Sequence, residues 1–174
     1  GGEGGAGSGA KNTVFFDNVR VPAFHLIGGE NEGWRVGQTH LELEHGTGGR
    51  IGRNRVVDRF IGLCKSAGPS GDALTSDPDV RDILVDVYID AEIERLFGLR
   101  NYWMRHSQVP MSYEGPQLSL YRKMAGLRTG KAILEVLGLR ALTTDPSWAP
   151  ADGHIEAHQR SSVVALHPGG TTDI

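Results

Sequence analysis

The segment LELEHGTGGR, residues 41–50, crowds two carboxylates, an imidazole and three glycines into ten positions. Glu42 and Glu44 alternate with leucines, His45 follows, and Gly46, Gly48 and Gly49 come almost at once; His40 stands just ahead. On a helix, His40 and Glu44 share one face and Glu42 and His45 another. Such a set admits metal ligation, a helix end, or a carboxylate base held where something approaches closely. Metal ligation fits poorly, because the His-Glu-x-x-His spacing that puts two imidazoles on one face is absent. Glu42 and His45 read equally well as charged surface. Glu44 differs, because Trp34, Leu41 and Ile51 share its stripe. A carboxylate on an apolar stripe faces a cleft or is desolvated, and desolvation raises its pKa toward that of a useful general base. Each glycine costs a helix interior about 1 kcal/mol relative to Ala. The run therefore marks either a helix break or a helix that a ligand or another backbone approaches closely. Apolar periodicity on both sides favours a continuous helix.

The elements that must position this cluster are mainly helical. TVFFDNVRVP, residues 13–22, is β-rich, turns at Asp17-Asn18 and stops at Pro22. It reads as the tail of a β domain. From Trp34 the apolar period lengthens from two to about 3.6. Val56, Val57, Phe60, Ile61 and Cys64 carry the first helix to SAGPSGD, residues 66–72. A second helix opens at Ser76-Asp77-Pro78-Asp79 and runs to about Val109, burying Val80, Ile83, Leu84, Val87 and Ala91. A third covers roughly 114–141, with Leu120, Met124, Leu127, Ile133, Leu134 and Leu137 as its stripe. A loop at 143–154 precedes a fourth helix over about 155–166. Four long amphipathic helices with short connections predict an antiparallel four-helix bundle.

Bulk properties exclude several classes. A chain of 174 residues with net charge -3 is one ordinary domain or little more. Its mixed, mildly acidic charge does not suit a nucleic-acid binder. No apolar run has membrane-spanning length, so no membrane insertion is expected. The single cysteine, Cys64, rules out an internal disulfide framework and fits a reducing, cytoplasmic compartment, packed in a helix core. GGEGGAGSGA at the start reads as a flexible segment. The expected organisation is 1–11 flexible, 12–31 the end of a β domain with its linker, and 32–174 a helical bundle whose last helix is truncated.

Two further stretches carry candidate chemistry. His167-Pro168-Gly169-Gly170-Thr171-Thr172-Asp173 is a turn that would lead into a helix, whose first N–H groups can hold a phosphate. Glu135-Val136-Leu137-Gly138 ends an apolar helix, and Arg140 behind it would complement the helix dipole.

Taken together, these stretches resemble the C-terminal half of an acyl-CoA dehydrogenase. VFFDNVRVPAFHLIGGENEGWRV is similar to that family's junction between its middle β domain and its helical domain. The resemblance covers about residues 12–174. It implies an oxidoreductase that takes a proton and a hydride from adjacent carbons of an acyl-CoA, with FAD receiving the hydride. Electron-transfer flavoprotein would be the onward acceptor, and the assembly a homo- or hetero-oligomer.

Most members carry the base in a Tyr-Glu-Gly-Thr motif, where this chain has Pro168-Gly169-Gly170-Thr171, so Gly169 occupies the glutamate position. Isovaleryl and long-chain members carry it in a Leu-x-x-Glu-Arg string instead. Leu41-Glu42-Leu43-Glu44-His45 matches that string, and Glu44 falls on the base. The resemblance then places Leu41, His45, Gly48 and Gly169 beside substrate, and Glu135, Gly138, Thr171 and Asp173 beside FAD. Four departures stand out. His45 replaces the usual Arg, and the 66–72 loop lacks the family's flavin-contacting Arg. Glu135 and Asp173 replace neutral glutamines. Two acids on the phosphate side of a flavin imply an altered or empty flavin site, as in acyl-CoA dehydrogenases built from two unlike subunits. A non-catalytic helical subunit is the competing reading.

Overall fold

A computed structural model describes residues 13–47, 52–66 and 71–167, with the side chains of 41–47 outside that description. The chain divides into two compact units, Gly1–Gly48 and Gly49–Ile174.

In the first unit, residues 13–22 are exposed and bend at Asp17-Asn18, where Asn18 takes φ 49°, and no strand occurs among the described residues. Phe15 and Phe16 are 87% and 82% exposed. The β character read from this segment is therefore propensity without a ladder; a strand exists only as a hydrogen-bonded pair. After a 3-10 turn at Ala23–His25, α1 spans Gly33–Thr47.

The second unit holds α2 (Arg55–Lys65), α3 (Pro78–His106), α4 (Glu114–Leu137) and α5 (His154–Val164). The expected continuous first helix is corrected here. Residues 52–54 are non-helical, and Asn54 restarts the chain as an N-cap, its side chain accepting from Val56 N at 3.1 Å. A glycine-dense stretch followed by a good cap favours two helices over one.

All four helices of this unit feed one buried cluster. Val57, Phe60 and Cys64 come from α2; Leu84, Val87 and Ala91 from α3; Ile133 and Leu137 from α4; Ile155 from α5. Ala141 joins them from the 3-10 turn after α4. Cys64 packs in the core as expected, and burial pushes its thiol up to about 11, which leaves it unreactive.

Cross-helix contacts give the directions. Between α3 and α4, Asn101 donates to Glu114 O, Arg100 to Gln117, Arg122 to Glu94, and Arg128 to Asp90. Partners advance on one helix as they recede on the other, so the pair is antiparallel. The same holds for α4 and α5, where Gln159 donates to Gly130 O and Lys123 to Leu166 O.

Two helix ends and one stripe differ from the sequence reading. Helix α3 stops at His106 rather than near Val109, because Gln108 turns left-handed (φ 54°) and Val109 N bonds back to Met104 O at 2.8 Å. Helix α4 stops at Leu137, where Gly138 takes φ 57° and a 3-10 turn runs to Leu142. Leu120, Met124 and Leu134 are exposed. The buried stripe of α4 is instead Leu118, Ala125, Thr129, Gly130, Ile133 and Leu137. Small residues there bring α5 close, so a stripe judged by size alone was read on the wrong side.

Gly126 and Gly130 differ in what a side chain would meet. A Cβ on Gly126 would touch only Ser162 Cβ at 4.0 Å, an ordinary contact. One on Gly130 would lie 2.9 Å from Gln159 Oε1, and that amide is held by its bond to Gly130 O. Ala favours a helix interior over Gly by about 1 kcal/mol. Gly126→Ala is therefore expected to stabilise by about 0.5–1 kcal/mol in urea unfolding, and Gly130→Ala by roughly nothing, its gain in propensity offset by the displaced amide. Equal effects at both sites would contradict this packing.

His158, on α5, sits against Gly126 O at 3.3 Å, and burial lowers its pKa below the usual 6.5. The unfolded chain then takes up this proton first as pH falls. The stabilising contribution is complete above about 6.5 and is lost as pH drops from there toward the lowered folded value. Unfolding free energy should fall through this window in the wild type, and His158→Gln should flatten the dependence. An unchanged slope in the variant would exclude His158 as its source.

Candidate active site

The helix that carries Glu44 has a well-defined start. Glu32 accepts from Gly29 N at 3.0 Å and pairs with Arg35, while Val36 N bonds Glu32 O. Gly28 takes φ 83°, and a Cβ there would lie 2.7 Å from Val36 Cγ2, so only glycine fits this entry turn. Residues 41–45 follow in unbroken helix, so the backbone puts Leu41 and Glu44 within one turn of each other. The side chains of Leu41, Glu44 and His45 lie outside the described residues, as do Gly48, Gly169, Thr171 and Asp173 altogether. Trp34, read as part of the apolar stripe with Glu44, is 83% exposed within its unit.

Glu135 and Gly138 are the two remaining candidates, and the end of α4 brings them together. Glu135 is exposed, one turn before the cap. No ion pair engages it among the described residues. Gly138 closes the helix with its N–H on Leu134 O, and nothing lies within 4 Å of where its Cβ would be. An open glycine suits close approach by a cofactor, but a bare carboxylate beside it repels a pyrophosphate. Arg140 is exposed in the 3-10 turn that follows, so the corner carries one acid and one cation.

A polar seam between α3 and α4 went unread in the sequence. Asp90 accepts from Arg128 at 2.7 and 2.8 Å and from Tyr121 at 2.7 Å, and Arg122 donates to Glu94 at 2.7 Å. The Arg128 guanidinium holds the Asp90 carboxyl below its usual value, and burial with Asp90 nearby pushes the Tyr121 hydroxyl up to about 12. Oppositely charged residues at matching positions, 90 and 94 against 122 and 128, were the available signal. Asp90, Arg128 and Tyr121 satisfy one another, whereas Arg122 bonds Glu94 through Nε and its buried Nη2 finds no partner among the described residues. The seam's half-exposed pairs are worth about 0–1 kcal/mol each.

Comparison with known proteins defines the class of fold first. The chain superposes on a variant of the Tcur3481–Tcur3483 steroid ACAD with a TM-score of 0.75 at 21% identity, covering 91% of this chain and 41% of that one. The ChsE4–ChsE5 complex from Mycobacterium tuberculosis gives 0.72, also at 21% identity, over 91% and 41%. The helical fold is that of an acyl-CoA dehydrogenase portion.

Sequence relatives align along nearly the whole chain. Acyl-CoA dehydrogenase FadE29 of Mycobacterium tuberculosis (strain ATCC 25618 / H37Rv) is 24% identical over 94% of this chain and 42% of its own length. FadE26 of the same strain is 25% identical with the same two coverages. Acyl-CoA dehydrogenase IpdE1 of Mycolicibacterium smegmatis (strain ATCC 700084 / mc(2)155) is 31% identical over 51% of this chain and 22% of its own length. No family model matches. The resemblance read from the sequence is borne out: along 94% of its length this chain is similar to a portion of acyl-CoA dehydrogenases. It spans about two fifths of the length of FadE29 and FadE26.

Proposed function

We propose that the intact protein is an acyl-CoA dehydrogenase in which Glu44 removes the α proton of an acyl-CoA thioester. The observation that carries this is the likeness to acyl-CoA dehydrogenases along 94% of the chain, with Glu44 on a helix that continues past it to Thr47. FAD supplies the hydride acceptor in such a reaction. This chain's own contribution is the carboxylate of Glu44, carried on α1, with the small residues Gly46, Gly48 and Gly49 next in the sequence. The test is proton exchange: an unlabelled acyl-CoA incubated with the intact protein in D2O should gain deuterium at its α carbon. No exchange in the wild type, or equal exchange in Glu44→Gln, sinks the proposal.

A second reading has a specific observation behind it. Glu135 is an exposed acid where the family resemblance expects a neutral amide, and the sequence puts a second acid, Asp173, at another such position. The chain would then supply helices to a complex of unlike subunits whose flavin sites are not all alike. Both structural neighbours are named for two components, Tcur3481–Tcur3483 and ChsE4–ChsE5. Flavin absorbance of the purified intact assembly is expected to show fewer than one FAD per subunit, and one per subunit excludes this reading.

A further inference from the structure

A groove of about 350 Å³ opens where α2 packs against the start of α3. That size lies within the range of small-ligand sites, about 300–1,000 Å³. Ile61, Leu84, Val85 and Tyr88 form its apolar floor. Its polar lining is Thr75 and two cations, Lys65 and Arg81, with no carboxylate among the described residues that line it.

The cations sit at one end. Lys65 is the last residue of α2, and Arg81 lies in the first turn of α3. Arg81 is fixed there by donating to Thr75 O at 2.8 Å and Ser76 O at 3.1 Å. Backbone carbonyls orient a guanidinium without neutralising it. Neither cation is in an ion pair among the described residues. The opposite end differs. Tyr88 lies under Arg53, whose charge is taken up by Glu92 at 3.0 Å and Asp58 at 3.2 Å. The groove is thus positive at the 65/81 end and apolar toward Tyr88.

We infer that this groove binds a single-chain amphiphilic anion, with an alkyl tail along Leu84, Val85 and Tyr88 and a carboxylate between Lys65 and Arg81. The two helical turns from Arg81 to Tyr88 measure about 10 Å, which suits a chain of roughly eight carbons. Each buried methylene should tighten binding about fourfold until the floor is covered. The inference does not rest on the dehydrogenase reading, because it uses only residues of the groove.

The test is calorimetric titration of the intact protein with sodium hexanoate, octanoate and decanoate, and with octylammonium chloride. Saturable octanoate binding is expected, tighter than hexanoate by roughly the factor of four per methylene and levelling off by decanoate. Octylammonium should bind at least tenfold more weakly than octanoate. Val85→Asp, on a side chain that is 54% exposed, should weaken octanoate at least tenfold, and Lys65→Glu should do the same. Far-UV dichroism checks that each variant keeps its helices; should Val85→Asp lose them, Lys65→Glu at an exposed helix end decides. Absence of saturable octanoate binding, equal affinity for octylammonium, or wild-type affinity in the folded variants overturns the inference.

Discussion

Glu44→Gln in the intact protein is expected to lower turnover of an acyl-CoA by about a thousandfold, within the range of about 10²–10⁴ that a positioned base contributes. The amide keeps the size and much of the hydrogen bonding of the acid but cannot accept the proton. Flavin content and KM should change little, because the amide matches the acid in size and shape and differs in the proton transfer alone. Glu42→Gln, two residues earlier, is the matched control and should retain activity. Stopped-flow reduction of bound flavin by substrate gives the measurement directly. Persistence of wild-type rates in Glu44→Gln would assign the proton to another group.

Phe60→Ala should destabilise the second unit by about 3–5 kcal/mol, the usual cost of removing a large aromatic from a core. Phe60 is fully buried and sits in the cluster that joins α2, α3, α4 and α5. The loss is a large part of the about 5–15 kcal/mol that keeps a domain folded. Urea unfolding followed by dichroism should show a large drop in midpoint. Trp34→Ala, on a side chain that is 83% exposed within its unit, should leave that midpoint within about 0.5 kcal/mol. A Phe60→Ala cost below about 1 kcal/mol would mean that α2 does not share the core of the other helices.

Much of this was legible beforehand because apolar periodicity reports burial directly. Leu84, Val87 and Ala91 are buried as their spacing required, and Asp77-Pro78 starts α3 as an N-cap followed by proline. What escaped has specific causes. The break before α2 was signalled by Asn54, a good cap, but apolar period on both flanks outweighed it. The buried side of α4 includes Gly130 and Thr129, which carry little apolar weight, so the larger Leu120 and Met124 drew the stripe toward solvent. Residues 13–22 carry strand propensity, yet a ladder is made by two segments, and one segment cannot reveal its partner. Of the candidate site residues, Glu135 and Gly138 lie at the end of α4, which stops at Leu137 before a positive-φ glycine rather than near 141 as the apolar period suggested.

The turn into α5 sets a rule for which sequences can be substituted. Ala151, Asp152 and Gly153 take left-handed backbone in succession, with φ of 52°, 55° and 77°. Left-handed backbone costs an L-residue about 1–2 kcal/mol, and β-branched side chains fit it worst. Proline cannot adopt it at all. A library randomised at these three codons and selected for folding should therefore return glycine, asparagine and aspartate, and discard valine, isoleucine, threonine and proline. Three residues far from any candidate chemistry thereby become among the least substitutable in the chain, through backbone handedness alone.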